Sequence, residues 1–548
     1  MIKKILSILF SIIQIYVIAQ NNVQQVLNNR NEAIVSFSTK YLTKIPDFKK
    51  LSIDKIKNDT ITVYITQKQY NKLVELNIPL KQEQIPSLVS NFKMFNINLK
   101  STNEWNSYPD YSSYISLMNK FSTDFPEICK LDTIGYSVNN RLLLALKISD
   151  NVAIQEDEPA FFYTSSMHGD ELTGYVLLLH LADYLLTNYD NTKIKNLINN
   201  VEIYINPLAN PDGTFKTGDE TVSGATRFNA NGIDLNRNFP DIEDGNHPDD
   251  NEWQPETVAM MDFMKKHNFN LSMNFHGGEE VLNYPWDTFK KRHADDKWFQ
   301  YICRQYVDTA HKVDANYMTV FDNGITNGYD WYSISGGRQD YVTYFLHGRE
   351  VTTELSKVKL IDAEELPAFW NKNYKSLINY IDQTTYGIHG IVTNSKGSPI
   401  TANIKINNYD TDSSSIFSNK KGLFYRYLQA GVYSITISAV GYISKTVDIV
   451  LENNKKTDIS IQLEKSTGIN DTYNTNILYP NPVNNKIYFN NNYFCNNNIE
   501  YTISNINGVI VKRYLGKKSS FNINLPAGVY IFTAKNNKKI FTKKIIIQ

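Results

Sequence analysis

A strand–helix–strand succession in the middle of the chain constrains the fold more than any other feature. Residues 159–166 (PAFFYTSS) have the composition of a buried strand, residues 174–188 (GYVLLLHLADYLLTN) that of a buried helix, and residues 201–213 (VEIYINPLANPDG) begin with a second strand. Such alternation is typical of an α/β sheet. It continues from about residue 104 to residue 385, so we expect an α/β domain there.

The 548 residues are too many for a single hydrophobic core, and the pattern changes on both sides of this region. Residues 21–98 contain a strand-like alternation at 60–66 (TITVYIT) followed by a helical segment, which predicts a compact strand–helix module. Residues 386–465 contain short alternating strands separated by Gly, Asn and Ser, which predicts a β-sandwich. A polar linker, residues 466–476, leads to a second β unit at 477–548.

The first twenty residues (MIKKILSILFSIIQIYVIAQ) carry two lysines and then an apolar run that ends at Ala19. The run is shorter than the about 20 apolar residues that cross a bilayer. We therefore predict a secretory signal peptide over residues 1–20, with a retained anchor as the alternative. After cleavage, the mature chain is expected to have no transmembrane segment.

Charge and cysteine content exclude two classes of protein. Basic and acidic residues number 56 each, so the chain lacks the electrostatic footprint of a nucleic-acid-binding protein. Cys129, Cys303 and Cys495 are too few and too scattered for a disulfide framework. We interpret all three as packing residues.

Polar residues follow two of the predicted strands. His168 and Glu171 stand in HGDE, directly after the strand that ends near Ser166, and His276 follows the apolar strand LSMNF. Two histidines and a glutamate form the three-ligand set of a zinc site that leaves its fourth position to water. A solvated loop is the alternative from these residues alone, because a single HxxE pattern often arises by chance.

Several longer motifs occur in a fixed order between residues 104 and 385. They are NPDG, RFNANGIDLNRNFPD, HGG followed by NYPWD, GITNGYDWYSISGGRQDY, and TTELS. Together they resemble the zinc metallocarboxypeptidases, specifically the regulatory branch that contains carboxypeptidases N, E, M and D. The resemblance implies a mixed α/β sheet, one catalytic Zn²⁺ ion and hydrolysis of the C-terminal peptide bond.

The resemblance also implies roles at the metal. His168, Glu171 and His276 match the zinc ligands. Asp234 matches a carboxylate that orients the first histidine. Glu354, in TTELS, matches the general base, which takes a proton from a water whose pKa zinc lowers to near 7. A glutamate in an otherwise apolar strand end is costly unless it has a function, which agrees with this assignment.

Other positions match residues that hold the substrate. Asn236 and Arg237 match the clamp for the terminal carboxylate, and a guanidinium suits that task because it donates two parallel hydrogen bonds. Arg227 matches the arginine that polarises the scissile carbonyl. Tyr332 matches a mobile tyrosine that closes over the bound residue.

Specificity is implied by Asp287, eleven residues after His276 in NYPWD. In the regulatory branch an aspartate there selects C-terminal lysine or arginine through a charge-assisted hydrogen bond. The alternative is that Asp287 caps the following segment. Gln339 also falls at a pocket position and is neutral. One departure from the family is Asp170, where asparagine is usual, which adds a negative charge beside the metal.

The flanking segments have their own resemblances. Residues 386–465 resemble the transthyretin-like β-sandwich that follows the catalytic domain in the regulatory carboxypeptidases. Residues 477–548, which open on YPNP and end in a basic strand, resemble the C-terminal sorting domain of type IX secretion in Bacteroidetes. They imply the type IX secretion machinery as a partner and a secreted or cell-surface location. Residues 21–98 lie where a propeptide would, with a permanent accessory domain as the alternative.

The sequence thus predicts an α/β, mixed-sheet zinc carboxypeptidase domain followed by a transthyretin-like sandwich and a β-sandwich sorting domain. Its expected function is removal of C-terminal lysine or arginine from peptides and proteins with free C-termini. One alternative is hydrolysis of cell-wall peptides that end in diaminopimelate. The other is a catalytically silent surface binding protein. Such proteins typically lose a zinc ligand or the base, whereas His168, Glu171, His276 and Glu354 are all present here.

Overall fold

The computed structural model describes most of the chain between residues 22 and 548. The described ranges are 22–46, 48–89, 92–97, 105–466, 478–479, 482–489, 499–506, 508–536 and 540–548. The predicted signal peptide, Cys495 and nearly all of the predicted linker lie outside them. The described residues divide into two compact units, one up to residue 463 without 439–443, and one formed by 439–443 and the residues from 464 onward.

The amino-terminal module (the described residues of 22–97) is built on a four-stranded antiparallel sheet. Its elements are β1 (Ala33–Ser38), β2 (Ser52–Lys57), β3 (Thr60–Ile65), α1 (Gln67–Glu75) and β4 (Lys81–Gln82), with short 3-10 segments at Thr39–Lys44, Phe48–Lys50 and Pro86–Leu88. The strand order is β2-β3-β1-β4, so β2 is an edge strand. Thr66 and Gln69 form a reciprocal capping box at the start of α1. The predicted strand at 60–66 and the helix after it are confirmed.

The central domain contains an eight-stranded mixed sheet. Its strands are β7 (Cys129–Tyr136), β8 (Leu142–Ile148), β9 (Ala160–Ser165), β10 (Glu202–Asn206), β11 (Leu271–His276), β12 (Glu280–Tyr284), β13 (Ile325–Asn327) and β14 (Arg349–Leu355), preceded by the short pair β5 (Met94–Phe95) and β6 (Tyr108–Pro109). The order is β13-β12-β14-β11-β9-β10-β8-β7. The four central strands β14, β11, β9 and β10 are parallel.

Helices cover both faces of this sheet. They are α2 (Tyr111–Asp124), α3 (Thr173–Thr187), α4 (Thr192–Ile198), α5 (Pro211–Thr214), α6 (Pro255–His267), α7 (Asp296–His311), α8 (Val320–Asn323), α9 (Gly328–Trp331), α10 (Arg338–Phe345) and α11 (Leu366–Asp382), with 3-10 segments at Leu235–Arg237, Ala363–Glu365 and Gln383–Thr385. Along β9, Phe161 and Tyr163 join one hydrophobic cluster and Phe162 joins another. Because both faces are buried, β9 is apolar along its whole length. The predicted α/β domain is confirmed.

A β-sandwich follows the central domain. Its strands are β15 (Gly387–Asn394), β16 (Asn403–Ile406), β17 (Ile416–Phe417), β18 (Leu423–Arg426), β19 (Gly431–Ser438), β20 (Lys445–Leu451) and β21 (Lys456–Leu463). They form the sheets β18-β15-β21 and β17-β16-β19-β20. Arg426 of β18 donates two hydrogen bonds to Asp295, at 2.6 and 2.8 Å, and Arg349 at the start of β14 donates a third, at 2.7 Å. All three side chains are buried, so an ionic cluster ties the sandwich to the central domain.

The carboxy-terminal segment is also all-β. Its strands are β22 (Leu478–Tyr479), β23 (Lys486–Phe489), β24 (Glu500–Asn505), β25 (Ile510–Leu515), β26 (Ser520–Asn522), β27 (Gly528–Lys535) and β28 (Ile540–Ile547). They form the sheets β22-β23-β26 and β25-β24-β27-β28. The predicted succession of one α/β domain and two β-rich segments is confirmed.

Two predictions from composition concern the described residues only in part. Cys129 and Cys303 are buried and not in a disulfide, as expected of packing residues. Among the residues that the structure describes, none of the helices is both long enough and apolar enough to cross a membrane.

Candidate active site

The predicted site residues gather at the carboxyl ends of the parallel strands. His276 is the last residue of β11 and lies beside Glu354 of β14 in the parallel register. His168 and Glu171 lie in the loop that leaves β9, the strand on the other side of β11. The carboxyl ends of parallel strands meet at one edge of a sheet, which is where open α/β sheets bind ligands.

His168, Glu171 and His276 direct three donor atoms at one point. Nδ1 of His168 lies 3.0 Å from Oε2 of Glu171, and Nδ1 of His276 lies 2.8 Å from the same oxygen. The two Nδ1 atoms are 3.0 Å apart. All three side chains are buried. Burial acts to raise the pKa of Glu171, but His168, Lys359 and His276 outweigh it and lower that pKa well below its usual value.

The far side of each imidazole has a polar partner. Nε2 of His168 lies 3.0 Å from Oδ1 of Asp234, which accepts a hydrogen bond from Nε2–H and so leaves the Nδ1 lone pair on the inner side. Nε2 of His276 lies 2.7 Å from the side-chain amide of Asn274. The oxygen and nitrogen of an amide are assigned from their partners, and turning the Asn274 oxygen toward Nε2 gives it an N–H to accept. Both histidines are thus arranged to present Nδ1 inward.

This donor set suits a divalent metal ion. Two imidazole nitrogens and one carboxylate oxygen, all within 4.8 Å of one another, are the ligand types of a three-ligand zinc site. With both Nε2 atoms protonated, two Nδ1 lone pairs lie 3.0 Å apart, and a cation between them would offset their repulsion. The observed His–Glu–His group therefore fits the predicted metal centre.

Glu354 lies at the edge of this group. Its Oε2 atom is buried and has no hydrogen-bond partner within the described part of the chain. Burial, and then the nearby charge of Glu171, raises the pKa of Glu354 well above its usual value. The residue lines one cavity together with the His–Glu–His group. A carboxylate in this position can exchange a proton with a water in the cavity.

Two buried arginines line the same cavity. Arg227 donates from Nε to Asp234, at 3.0 Å, and from Nη1 to Oε1 of Glu171, at 3.2 Å. Nη1 of Arg237 donates a hydrogen bond to the backbone oxygen of Asn236, at 2.8 Å. The Asn236 side chain accepts a hydrogen bond from the backbone N–H of Arg338, which fixes it at the cavity wall. The predicted carbonyl-binding and carboxylate-binding residues are therefore adjacent to the metal group.

Asp287 lines the same cavity and is buried. Its Oδ1 accepts hydrogen bonds from the side chains of Asn283, at 3.2 Å, and Gln339, at 3.1 Å. The backbone N–H of Asp287 donates to Asp340. A Cβ on Gly328 would come within 1.7 Å of Oδ1, so this glycine leaves space for the carboxylate. Burial raises the pKa of Asp287 to about 7, against the lowering effect of Asn283 and Arg237.

The amino-terminal module contacts residues of the cavity. The sequence indicated a propeptide or an accessory domain here, but not which residues make the contacts. Ser52, at the start of edge strand β2, donates from Oγ to Oδ2 of Asp234, at 2.6 Å. The backbone oxygen of Leu51 accepts a hydrogen bond from Nε of Arg237, at 3.3 Å. The Tyr332 hydroxyl donates to the backbone oxygen of Ile53, at 3.5 Å. Ile53 and Asp54 are among the residues that line the cavity.

A second contact of the module explains the unusual aspartate at position 170. Tyr64 of β3 donates its hydroxyl to Oδ2 of Asp170, at 2.7 Å, and both side chains are buried. Glu32 of the module accepts a hydrogen bond from the backbone N–H of Phe228, at 3.1 Å. Burial, and then the charge of Asp170, raises the pKa of Glu32 to about 8. The residue that departs from the family pattern is therefore bound to the module.

Lys359 is a site residue that the sequence reasoning missed. Its ammonium contacts Oε1 of Glu171 and lies 3.2 Å from Oδ1 of Asp54. The stretch LSKVKL holds two lysines after Glu354, and composition does not distinguish the buried Lys359 from the exposed Lys357.

Comparisons with known proteins agree with this arrangement. Residues 114–376 match the zinc carboxypeptidase family, residues 387–464 match the carboxypeptidase regulatory-like domain, and residues 477–548 match the secretion system C-terminal sorting domain. The predicted resemblances are thereby confirmed.

Two relatives illustrate the similarity in sequence. The chain is 35% identical over 396 residues to the carboxypeptidase N catalytic chain of Mus musculus, covering 65% of this chain and 86% of the relative. It is also 35% identical over 381 residues to carboxypeptidase D of Homo sapiens, covering 66% of this chain. The match spans only 27% of the length of carboxypeptidase D.

A solved structure shows the same fold. Carboxypeptidase A from Helicoverpa armigera superposes with a TM-score of 0.50 at 17% sequence identity, covering 65% of this chain and 97% of the other. At that identity the likeness concerns the fold alone.

Proposed function

The chain belongs to the zinc carboxypeptidase family, and from this premise we propose that it removes C-terminal lysine or arginine from peptides and proteins. The observation that carries the proposal is one cavity lined by the His–Glu–His group, by Glu354, by two arginines and by Asp287. An exopeptidase of this kind requires a metal site, a base, a clamp for the terminal carboxylate and a pocket for the terminal side chain. Each of these groups can supply one of them.

The residues would hold and activate a substrate in the following way. His168, Glu171 and His276 would bind Zn²⁺, which supplies a Lewis acid for the scissile carbonyl and an acidified water. Glu354 would take a proton from a water in the cavity and return it to the leaving amine. Arg227, adjacent to the metal group, stabilises the negative charge that develops on the carbonyl oxygen.

The rest of the cavity would select the substrate. Asn236 and Arg237 bind the terminal carboxylate, for which the planar guanidinium fork is well suited. Tyr332 closes over the bound residue. Asp287, which lines the same cavity, binds the cationic end of a lysine or arginine side chain. Diaminopimelate carries a carboxylate next to its distal ammonium, and the buried Asp287 repels it, so ordinary basic peptides are favoured over cell-wall peptides.

We further propose that residues 21–98 shield the cleft until they are displaced. The backbone oxygen of Leu51 accepts a hydrogen bond from Arg237, the side chain that would otherwise bind the substrate carboxylate. The backbone oxygen of Ile53 accepts a hydrogen bond from the hydroxyl of Tyr332. A strand that engages both groups competes directly with a C-terminal residue, so the propeptide interpretation is favoured over a permanent accessory domain.

We also propose that the protein is located outside the cell. The sorting-domain match at residues 477–548 supports export through the type IX secretion machinery, and a signal peptide over residues 1–20 would precede it. The enzyme would then act on extracellular or surface peptides.

Hydrolysis of matched peptides tests the proposed activity. The peptides end in Arg, Lys, Leu, Glu or diaminopimelate, and they are offered to the full-length chain and to a Ser52→Ala/Tyr64→Phe variant with a weakened module contact. We expect chelator-sensitive release of Arg and Lys. Release mainly of Leu or diaminopimelate would keep the metal mechanism but overturn the specificity. No release from either form, with zinc bound, would favour the binding-protein alternative.

A further inference from the structure

Lys359 is buried in the metal cavity although lysine is almost never fully buried without a partner. Its ammonium donates to Oε1 of Glu171 and, at 3.3 Å, to the backbone oxygen of Gly277. Gly278 has a φ of +127°, and a Cβ there would lie 3.6 Å from Nζ. The backbone conformation favours glycine at this position, and the glycine pair after His276 packs against the lysine side chain. A specific cradle exists for this ammonium.

The two oxygens of Glu171 have different partners. Oε2 faces Nδ1 of both histidines and also accepts the backbone N–H of Gly277, at 3.2 Å. Oε1 is turned away from the histidines and accepts from Lys359 and Arg227. The carboxylate is thus held with one oxygen toward the metal position and the other toward two cations.

Arg227 cannot serve Glu171 and a substrate equally well. Its Nη1 atom donates to Oε1 of Glu171, and under the proposed function this guanidinium also stabilises the scissile carbonyl. When Arg227 turns to the substrate, Oε1 loses one of its two cations. Lys359 is the cation that remains, because its stem is anchored behind Gly277 and Gly278.

We propose that Lys359 is a positioning residue, which holds Oε1 of Glu171 and so orients its carboxylate toward the histidines, while Arg227 is released to the substrate. The proposal rests on the proposed function only for the role of Arg227. The orientation of Glu171 toward a metal is independent of whether a peptide is cleaved. Metal affinity therefore tests it without reference to turnover.

The experiment compares Lys359→Met, Lys359→Gln and Lys359→Arg in the full-length chain. Lys357→Met is the matched control, because Lys357 lies two residues away, is exposed and pairs with Glu280 outside the His–Glu–His group. Asp54→Asn is a second control, since it removes the module's contact with Lys359 but keeps Lys359 on Glu171. Zinc affinity is measured by competition with a chromophoric chelator, and the coordination of cobalt(II) is followed by visible absorption.

We expect Lys359→Met to weaken zinc binding by about 10- to 100-fold, the usual effect of removing a partner behind a metal ligand. The cobalt spectrum should change as well, because the Glu171 carboxylate would lose the ammonium that fixes its orientation. Lys359→Arg should recover most of the affinity and Lys359→Gln part of it, while both controls keep the wild-type value. At saturating zinc, Lys359→Met should lower kcat more than it changes KM.

The outcomes separate this inference from the proposed function. A Lys359→Met protein with zinc affinity within twofold of wild type and an unchanged cobalt spectrum overturns the inference. If Lys359→Met does not fold, wild-type affinity in Lys359→Gln overturns it equally. A wild-type protein that binds zinc tightly but cleaves no peptide overturns the proposed function, whereas the affinity differences still decide the role of Lys359.

Discussion

Loosening the amino-terminal module is expected to raise the activity of the full-length chain. The perturbation is Ser52→Ala combined with Tyr64→Phe, which removes two hydroxyl donors from the module and alters no residue of the central domain. Ser52 donates to Asp234 and Tyr64 donates to Asp170, both within buried surroundings. Each substitution leaves the rest of the side chain in place.

The magnitude follows from the kind of hydrogen bond removed. A hydrogen bond to a charged group contributes about 1.5–3 kcal/mol. The two bonds end on different carboxylates, so their losses are summed as a first approximation to about 3–6 kcal/mol. At about 1.4 kcal/mol for each tenfold change, the docking equilibrium shifts by about 10²- to 10⁴-fold toward the open form.

The assay is the initial rate of arginine release from a peptide ending in Arg, measured for wild type and variant at equal zinc content. We expect kcat/KM of the double variant to exceed that of wild type by at least about tenfold, the docking shift setting the upper bound. Ser36→Ala is the matched control, since Ser36 donates to Glu83 within the module itself. Equal rates for wild type, control and double variant would refute the shielding argument.

Three further predictions concern separate parts of the molecule. Glu354→Gln should keep zinc bound but lower kcat by about 10²- to 10⁴-fold, because an amide cannot take the proton. Metal analysis and steady-state kinetics measure the two quantities, and a variant with normal turnover would contradict the assignment of Glu354 as the base. The pKa of Asp287 is raised to about 7, so its charged form is lost as pH falls through that value. KM for peptides ending in Arg should therefore rise below about pH 7 while KM for peptides ending in Leu stays flat, and a parallel response of both peptides would argue against Asp287. Arg426→Met should lower the free energy of unfolding by about 3–5 kcal/mol in a denaturant titration, because it leaves Asp295 with one cation instead of two; a change below about 1 kcal/mol would contradict this reading.

Much of the candidate metal site was predictable because it depends on strand ends. His276 ends β11, Glu354 lies one residue before the end of β14, and the loop with His168 and Glu171 leaves β9. Parallel pairing of these strands places the four residues at one edge of the sheet. The pattern of apolar residues predicts β9 and β11, and the family motifs predict which polar residues lie at the strand ends. Their juxtaposition then follows from the α/β topology.

Contacts between distant segments were not predictable in the same way. Ser52 and Tyr64 have the sequence context of ordinary strand residues, and nothing local indicates that they reach Asp234 and Asp170. Asp170 was recognised as an extra negative charge near the metal, but its partner is a tyrosine 106 residues earlier in the chain. Docking depends on the shapes of two folded surfaces, which no periodic pattern encodes.

Lys359 shows a different limit of sequence reasoning. Lys357 and Lys359 have the same composition around them, and only the turn after β14 sends one outward and the other into the cavity. Gln339 was expected to be a neutral pocket residue, and the structure adds that its amide donates to Asp287. The direction of a side chain at the end of a strand is set by the turn that follows, so it emerges only with the fold.

The most direct test of the central claim is mass spectrometry of one peptide in two forms. The peptide ends in Arg as the free acid or as the amide, and it is incubated with the full-length chain and with the Ser52→Ala/Tyr64→Phe variant, with and without a chelator. The account predicts loss of the single terminal residue from the free acid, no loss from the amide, and inhibition by the chelator that zinc reverses. Internal cleavage, equal loss from the amide, or release that the chelator does not affect would contradict it.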